Sequence, residues 1–237
     1  VSASSKPDLT GFLYPLLLSF IIPKSSKKYS EDEIIDLFNL KRLVGNNEHP
    51  LMQEWTATST ILNSGEQYLF DSITKNLASK IRSWNEEALK MNFIAFVLKL
   101  GHLEETDRYK TFYKSTLEAT VEGYFLKVRA DMMVATGVLE IPKVPYFYFQ
   151  EYKKVKDPKG DVTGQLLEAF LIAQENNKNN KPLYGCTVWG REWEFYIMEK
   201  KTYCVSKAYN CTDEEDLMQI IAILRKFTEI LETRLLD

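Results

Sequence analysis

The chain has little from which to build a zinc centre or a disulfide framework: three cysteines (Cys186, Cys204, Cys211) and two histidines among 237 residues. None of them forms a CxxC pair or a His-rich zinc spacing, so free thiols in a reducing, cytoplasmic setting are expected. Asn210-Cys211-Thr212 matches a glycosylation acceptor, but so short a pattern recurs by chance and no secretory feature supports it. No GxSxG elbow, Walker loop or GxGxxG opens a helix after a strand, which removes the commonest signatures of hydrolases, NTPases and dinucleotide enzymes. Charge of one sign is lacking too. Thirty basic against 33 acidic residues leave a net charge of −3, so no whole-chain field advertises a polyanionic partner, although a local basic patch is not excluded.

Long apolar runs are also scarce. "GFLYPLLLSFII" (11–22) carries an internal proline and falls short of the roughly 18–20 residues that span a bilayer. The residues before it include one lysine and one aspartate instead of a basic cluster, which argues against a signal peptide. So much contiguous apolar surface is expected to pack onto the helical region or across a homodimer interface, with no membrane as partner.

What is present reads as helix first. Ser30 and Glu33 form a capping-box pattern ahead of "IIDLFNLKRL", and Pro50 suits a helix start. "EQYLFDSITKNLASKI" has apolar residues at helical spacing, and Leu89, Phe93, Phe96, Val97 and Leu100 make one helical face before Gly101. Near residue 116 the period changes to alternation. "TLEATVEGYFLKV", "VRADMMVAT" and "PYFYFQEYKK" read as strands, with Gly137, Pro142 and Pro145 as punctuation. "TGQLLEAFLIAQENN" is a helix, followed by strands in "PLYGCTVWG", "EWEFYIMEK" and "TYCVSKAY". A last helix opens with a capping box from Thr212 to Glu215. This order predicts an α/β fold: a mixed central sheet flanked by helices, with an N-terminal helical region at 1–75 and the main domain at 76–237.

The chemistry concentrates at two strands. Alternation places Phe147, Phe149, Glu151 and Lys153 on one face, with the charged pair at the strand's carboxyl end, where open α/β sheets place their sites. Upstream, Asp131 interrupts an apolar strand, sharing a face with Arg129 and Met133. Buried without a partner, its carboxylate would cost several kcal/mol, so a cation or donors must lie nearby. Two carboxylates and a lysine converging at strand ends would suit a hard divalent cation with a basic group beside it.

Asp131 in "VRADMMVATG", the E-x-K of Glu151-Tyr152-Lys153, Gln165 on the following helix and Glu86 on the preceding one together resemble the PD-(D/E)XK nuclease superfamily. The resemblance covers roughly residues 80 to 237, and within the superfamily it is distantly similar to the nuclease domain of type I restriction enzymes. "WNEEALKMNFI", "EYKK", "GQLLEAFLIAQ" and "PLYGCTVWGREWEF" also carry it. It implies a restriction-endonuclease-like fold with Mg²⁺ or Mn²⁺ held by Asp131 and Glu151. By the same resemblance, Glu86 would add an outer or second-metal carboxylate. Lys153 would orient or activate water and offset phosphate charge, and Gln165 would position substrate or metal. Ala130 stands where the superfamily's Pro precedes the aspartate. Ala169 stands four residues after Gln165, where the exonuclease-like branch has Tyr, which argues against exonuclease action.

Each residue also has a structural reading. Ser83 and Glu86 form a capping-box pattern, so Glu86 is either a ligand or a helix cap. Gln165 suits a helix start, and Lys154, Lys156 and Lys159 suit a solvated loop as well as phosphate steering. Trp189 and Trp193, flanking a hairpin, read as packing, and Asp161 and Glu168 as structural. The expected function is metal-dependent hydrolysis of nucleic acid, DNA first, by an endonuclease. The alternative is a non-catalytic nucleic-acid or protein-binding module with the same fold. A third reading gives the N-terminal helices the functional role, with 11–22 as a dimer or partner surface.

Overall fold

The computed structural model describes residues 28–103, 105–153 and 161–236. The apolar segment 11–22 and the loop lysines Lys154, Lys156 and Lys159 lie outside these residues. The first described elements are helix α1 (Glu31–Phe38), strand β1 (Lys41–Val44), and helices α2 (Pro50–Thr56), α3 (Ser64–Thr74) and α4 (Leu77–Lys80). Helix α5 (Glu86–Leu89) runs through a π-helical turn, Lys90–Ile94, into α6 (Ala95–Leu100). Three long strands follow: β2 (Lys110–Val121), β3 (Tyr124–Val138) and β4 (Ile141–Lys153). Then come α7 (Val162–Asn177), β5 (Leu183–Trp189), β6 (Glu192–Glu199), β7 (Thr202–Val205), β8 (Tyr209–Asn210) and α8 (Glu214–Ile230).

The sheet is mixed, in the order β1-β7-β6-β5-β4-β3-β2, with β8 joined to β6. β1 runs parallel to β7 and β4 parallel to β5; the other pairs are antiparallel. Helix α7 is the crossover between β4 and β5, because two adjacent parallel strands need a long connection. It covers one face together with α1, through Leu166, Phe170, Ile34 and Phe38. Helix α8 covers the other face with α2 and α6, through Trp55, Phe227, Leu224 and Val97. Among the described residues, no helix is long and apolar enough to cross a membrane.

Several sequence expectations shift by local geometry. "IIDLFNLKRL" is helical only to Phe38: Asn39 turns left-handed (φ 51°), and Lys41–Val44 form an edge strand instead. Ser30 and Glu33 do form their capping box. The last helix is capped by Asp213, one residue beyond the expected Thr212, whose hydroxyl donates to Asn210. Phe96 is 37 % exposed, not buried with Phe93, because the π-helical turn advances the inward face to Phe93, Ile94, Val97 and Leu98. The alternating region begins at Lys110 rather than 116. Its first turn is Glu122-Gly123, both with positive φ, inside what read as one continuous strand.

Strict alternation also breaks twice, each time near the predicted site. Tyr146 and Tyr148 pair with Ala135 and Val134, so Phe147 is an extra residue in a β-bulge. Phe147 therefore packs on the α8 face while Phe149 packs on the α7 face. Opposite, Lys114 has φ 52°, and both partner strands reverse their buried face there. Ala130 and Val128 face α7, Met132 faces α8, and Met133 faces α7 again. Arg129, Asp131 and Met133 thus do not share one environment: Arg129 is exposed and Met133 is fully buried.

Candidate active site

Asp131 and Glu151 stand opposite one another on β3 and β4. The backbone ladder between these strands ends at Met132 opposite Gln150, and the next pair bonds through its side chains. The Asp131 N–H donates to Glu151 Oε1 (3.3 Å), and the Tyr152 N–H donates to Asp131 Oδ2 (3.0 Å). Each carboxylate thus accepts from the neighbouring strand, which holds both at fixed positions. The Asp131 side chain is 10 % exposed and its Oδ1 is in contact with the Lys114 ammonium. Glu151 is 2 % exposed. Burial, then the adjacent Asp131 charge, pushes its carboxyl well above the usual range, against the opposing pull of the Asp131 N–H, Lys114 and Lys153.

The two carboxylates open into a cavity of about 380 Å³ that also takes in Glu86, Lys153 and Gln165. All five predicted site residues therefore line one space. Glu86 is held there by cations: Lys90 at 2.5 Å and Lys114 at 3.9 Å. The expected Ser83 cap is not formed; Asn85 caps α5 by accepting from Ala88 N–H, and the Ser83 hydroxyl donates to Lys80 O. Burial would lower the Lys90 pKa, but the Glu86 hydrogen bond and the charges of Asp131 and Glu86 outweigh it and raise it. Among the described residues, no group of three or more His, Cys, Asp or Glu side chains is arranged to hold a metal ion.

Lys153 and Glu151 share the α7 side of β4 with Phe149, and Gln165 lies in the first turn of α7. That turn is anchored by Asp161. Its Oδ1 caps Thr163 and Gly164 N–H, and its Oδ2 accepts from Glu31 N–H at 2.7 Å, joining the starts of α1 and α7. Gly164 permits this junction: a Cβ there would lie 2.2 Å from Tyr29 O. One turn further on, Glu168 is buried, accepts from Lys127 N–H at 3.1 Å, and is raised to about 7 by burial, which that hydrogen bond opposes.

Lys114, Lys90 and Lys127 were missed by the sequence reading. Lys114 was nevertheless legible: the two-residue Glu122-Gly123 turn pairs Val121 with Tyr124, and counting back along both strands sets Lys114 opposite Asp131. Trp189 and Trp193 flank the β5–β6 hairpin, and Trp193 is fully buried as a packing residue.

Compared with known proteins, the chain matches no family model and no curated protein.

Proposed function

We propose that this protein is a metal-dependent phosphodiesterase acting on nucleic acid, with DNA as the first expected substrate and a restriction-endonuclease-like domain as its scaffold. The observation that carries the reading is the Asp131–Glu151 pair, cross-bonded between adjacent strands and opening into the cavity that holds Lys153 and Gln165. The succession of the β2–β3–β4 meander, α7 and the parallel β5 supports the fold assignment, since it brings an E-x-K strand end beside a helix start.

The donor set fits Mg²⁺ or Mn²⁺. Such ions take hard oxygen ligands, often only one or two carboxylates, with waters and substrate phosphate completing the shell. Lys114 already sets a positive charge against Asp131 and close to Glu86, which marks this spot as one that needs a cation. Asp131 and Glu151 would hold the ion, with Glu86 at its margin; when bound, it would supply Lewis-acid polarisation of a phosphoryl oxygen. Lys153 would hold a water or a phosphate oxygen in line and offset charge developing on phosphorus. Gln165 would orient the substrate, while Lys127 and Arg129 on the rim draw the backbone in.

The test is cleavage of plasmid, single-stranded DNA and RNA with Mg²⁺ or Mn²⁺. Lys153→Ala is expected to cut the single-turnover rate on the order of 100-fold with binding nearly unchanged. Lys127→Ala should weaken binding instead, by an amount that fades with salt. Mn²⁺ should raise the melting temperature of the unmodified chain, and Glu151→Gln should abolish that rise. A second reading, a non-catalytic nucleic-acid-binding module, is favoured by one observation. Both carboxylates already serve as strand fasteners, and Asp131 is already ion-paired. Absence of cleavage of every substrate, with salt-dependent binding retained, would select it.

A further inference from the structure

The polar cavity has an apolar neighbour. A second cavity of about 340 Å³ lies between the π-helical turn with α6 and the ends of β2 and β4. Its walls include Met91, Ile94, Leu98, Tyr113 and Tyr152. Lys114 and Asp131 line both cavities, so the two meet across that ion pair. The left-handed backbone at Lys114 makes this possible, because it reverses the strand face between Tyr113 and Ser115. Met91 is 70 % and Tyr113 is 62 % exposed, an apolar and aromatic surface left uncovered beside a charged one. Lys90 adds a cation at the rim, 5.3 Å from the centre of the Tyr152 ring.

A ligand that spans both cavities needs an anionic group joined closely to a flat apolar one. A nucleotide is such a ligand. We infer that the apolar cavity receives one unpaired nucleobase, stacked against Tyr113, while the adjoining phosphate lies at Lys114 and Lys153 in the polar cavity. This deepens the nucleic-acid reading above and rests on it. Its consequence is a strand preference. A base inside a duplex is stacked on both sides and paired at its edge, so it reaches this cavity only after being extruded, at the cost of its stacking and pairing. Single strands, ends and unpaired junctions present the base at no such cost.

The test uses the full chain in EDTA, so that binding is read apart from hydrolysis. The probe is a short DNA oligonucleotide carrying 2-aminopurine, used single-stranded or annealed to its complement. The single strand is expected to bind at least about tenfold more tightly than the duplex, with 2-aminopurine emission quenched by stacking. Tyr113→Ala should weaken single-strand binding by about 5- to 100-fold and remove the quench, whereas Tyr113→Phe should keep both. The exposure of Tyr113 makes loss of folding an unsuitable explanation, and a thermal melt of the variant checks it. Equal affinity for single strand and duplex, or binding and quench unchanged in Tyr113→Ala, overturns the inference. Quenched, Tyr113-dependent binding with no cleavage under Mg²⁺ or Mn²⁺ keeps the base cavity and defeats hydrolysis. Equal cleavage of both forms, indifferent to Tyr113→Ala, does the reverse.

Discussion

The two faces of the sheet are built on different terms. Under α8 the interior is rich in aromatic rings: Trp55 meets Tyr184 at 4.9 Å and Phe195 at 5.2 Å, both edge-on, and Tyr148 and Tyr184 pack on Phe227. The one polar atom of the Trp55 side chain is satisfied by Ile223 O at 2.8 Å. Under α7 the packing is apolar along most of the helix, then gives way to Glu168, Gln165, Glu151 and Lys153 where the helix begins and β4 ends. One face contributes cohesion, and the other holds carboxylates in positions that cohesion alone would disfavour. The difference teaches that the carboxylates of the candidate site are held by a sheet whose opposite side is packed under α2 and α8 and opens only beside α6, at the apolar cavity.

The largest effect should come from the aromatic face. Trp55→Ala removes a fully buried indole together with its hydrogen bond to Ile223 O, and is expected to cost about 3–5 kcal/mol, read as a lower urea midpoint. A small loss would mean that the two faces do not differ as described.

Next in size, and opposite in sign, is Glu168→Gln. With its folded pKa raised to about 7, Glu168 keeps its proton in the native state while the unfolded chain releases it at the ordinary value near 4.5. Unfolding therefore releases a proton over that interval, and stability is lost as pH rises from about 4.5 to about 7. Glutamine keeps an acceptor for Lys127 N–H without that charge, so the variant should match the parent near pH 4 and exceed it above pH 7, by on the order of 3 kcal/mol. Urea titrations at the two pH values decide it; equal curves at high pH would show that Glu168 is not held neutral.

The smallest effect belongs to the junction. Asp161→Ala should cost about 1 kcal/mol, as loss of a helix cap does. Hydrogen exchange should quicken at the Thr163, Gly164 and Glu31 amides, with α8 amides unchanged. Faster exchange on both faces would mean that they open together.

Much of this was legible in the residues alone. The α7 and α8 segments, the strands around Asp131 and Glu151, the Ser30 box and the convergence of Asp131, Glu151, Lys153, Gln165 and Glu86 all follow from periodicity, local chemistry and the family resemblance. Helical and strand periods are properties of neighbouring residues, and so they survive being read without a partner. Tertiary structure decided the rest. Lys41–Val44 becomes a strand because β7 offers it an edge, and Phe96 turns outward because packing selects a π-helical turn. Phe147 leaves its expected face at a bulge, and the buried faces of β2 and β3 reverse beside the left-handed Lys114. Each of these depends on a hydrogen-bond partner or a packing surface far away in the chain, and no local pattern carries information about a surface that only folding brings near.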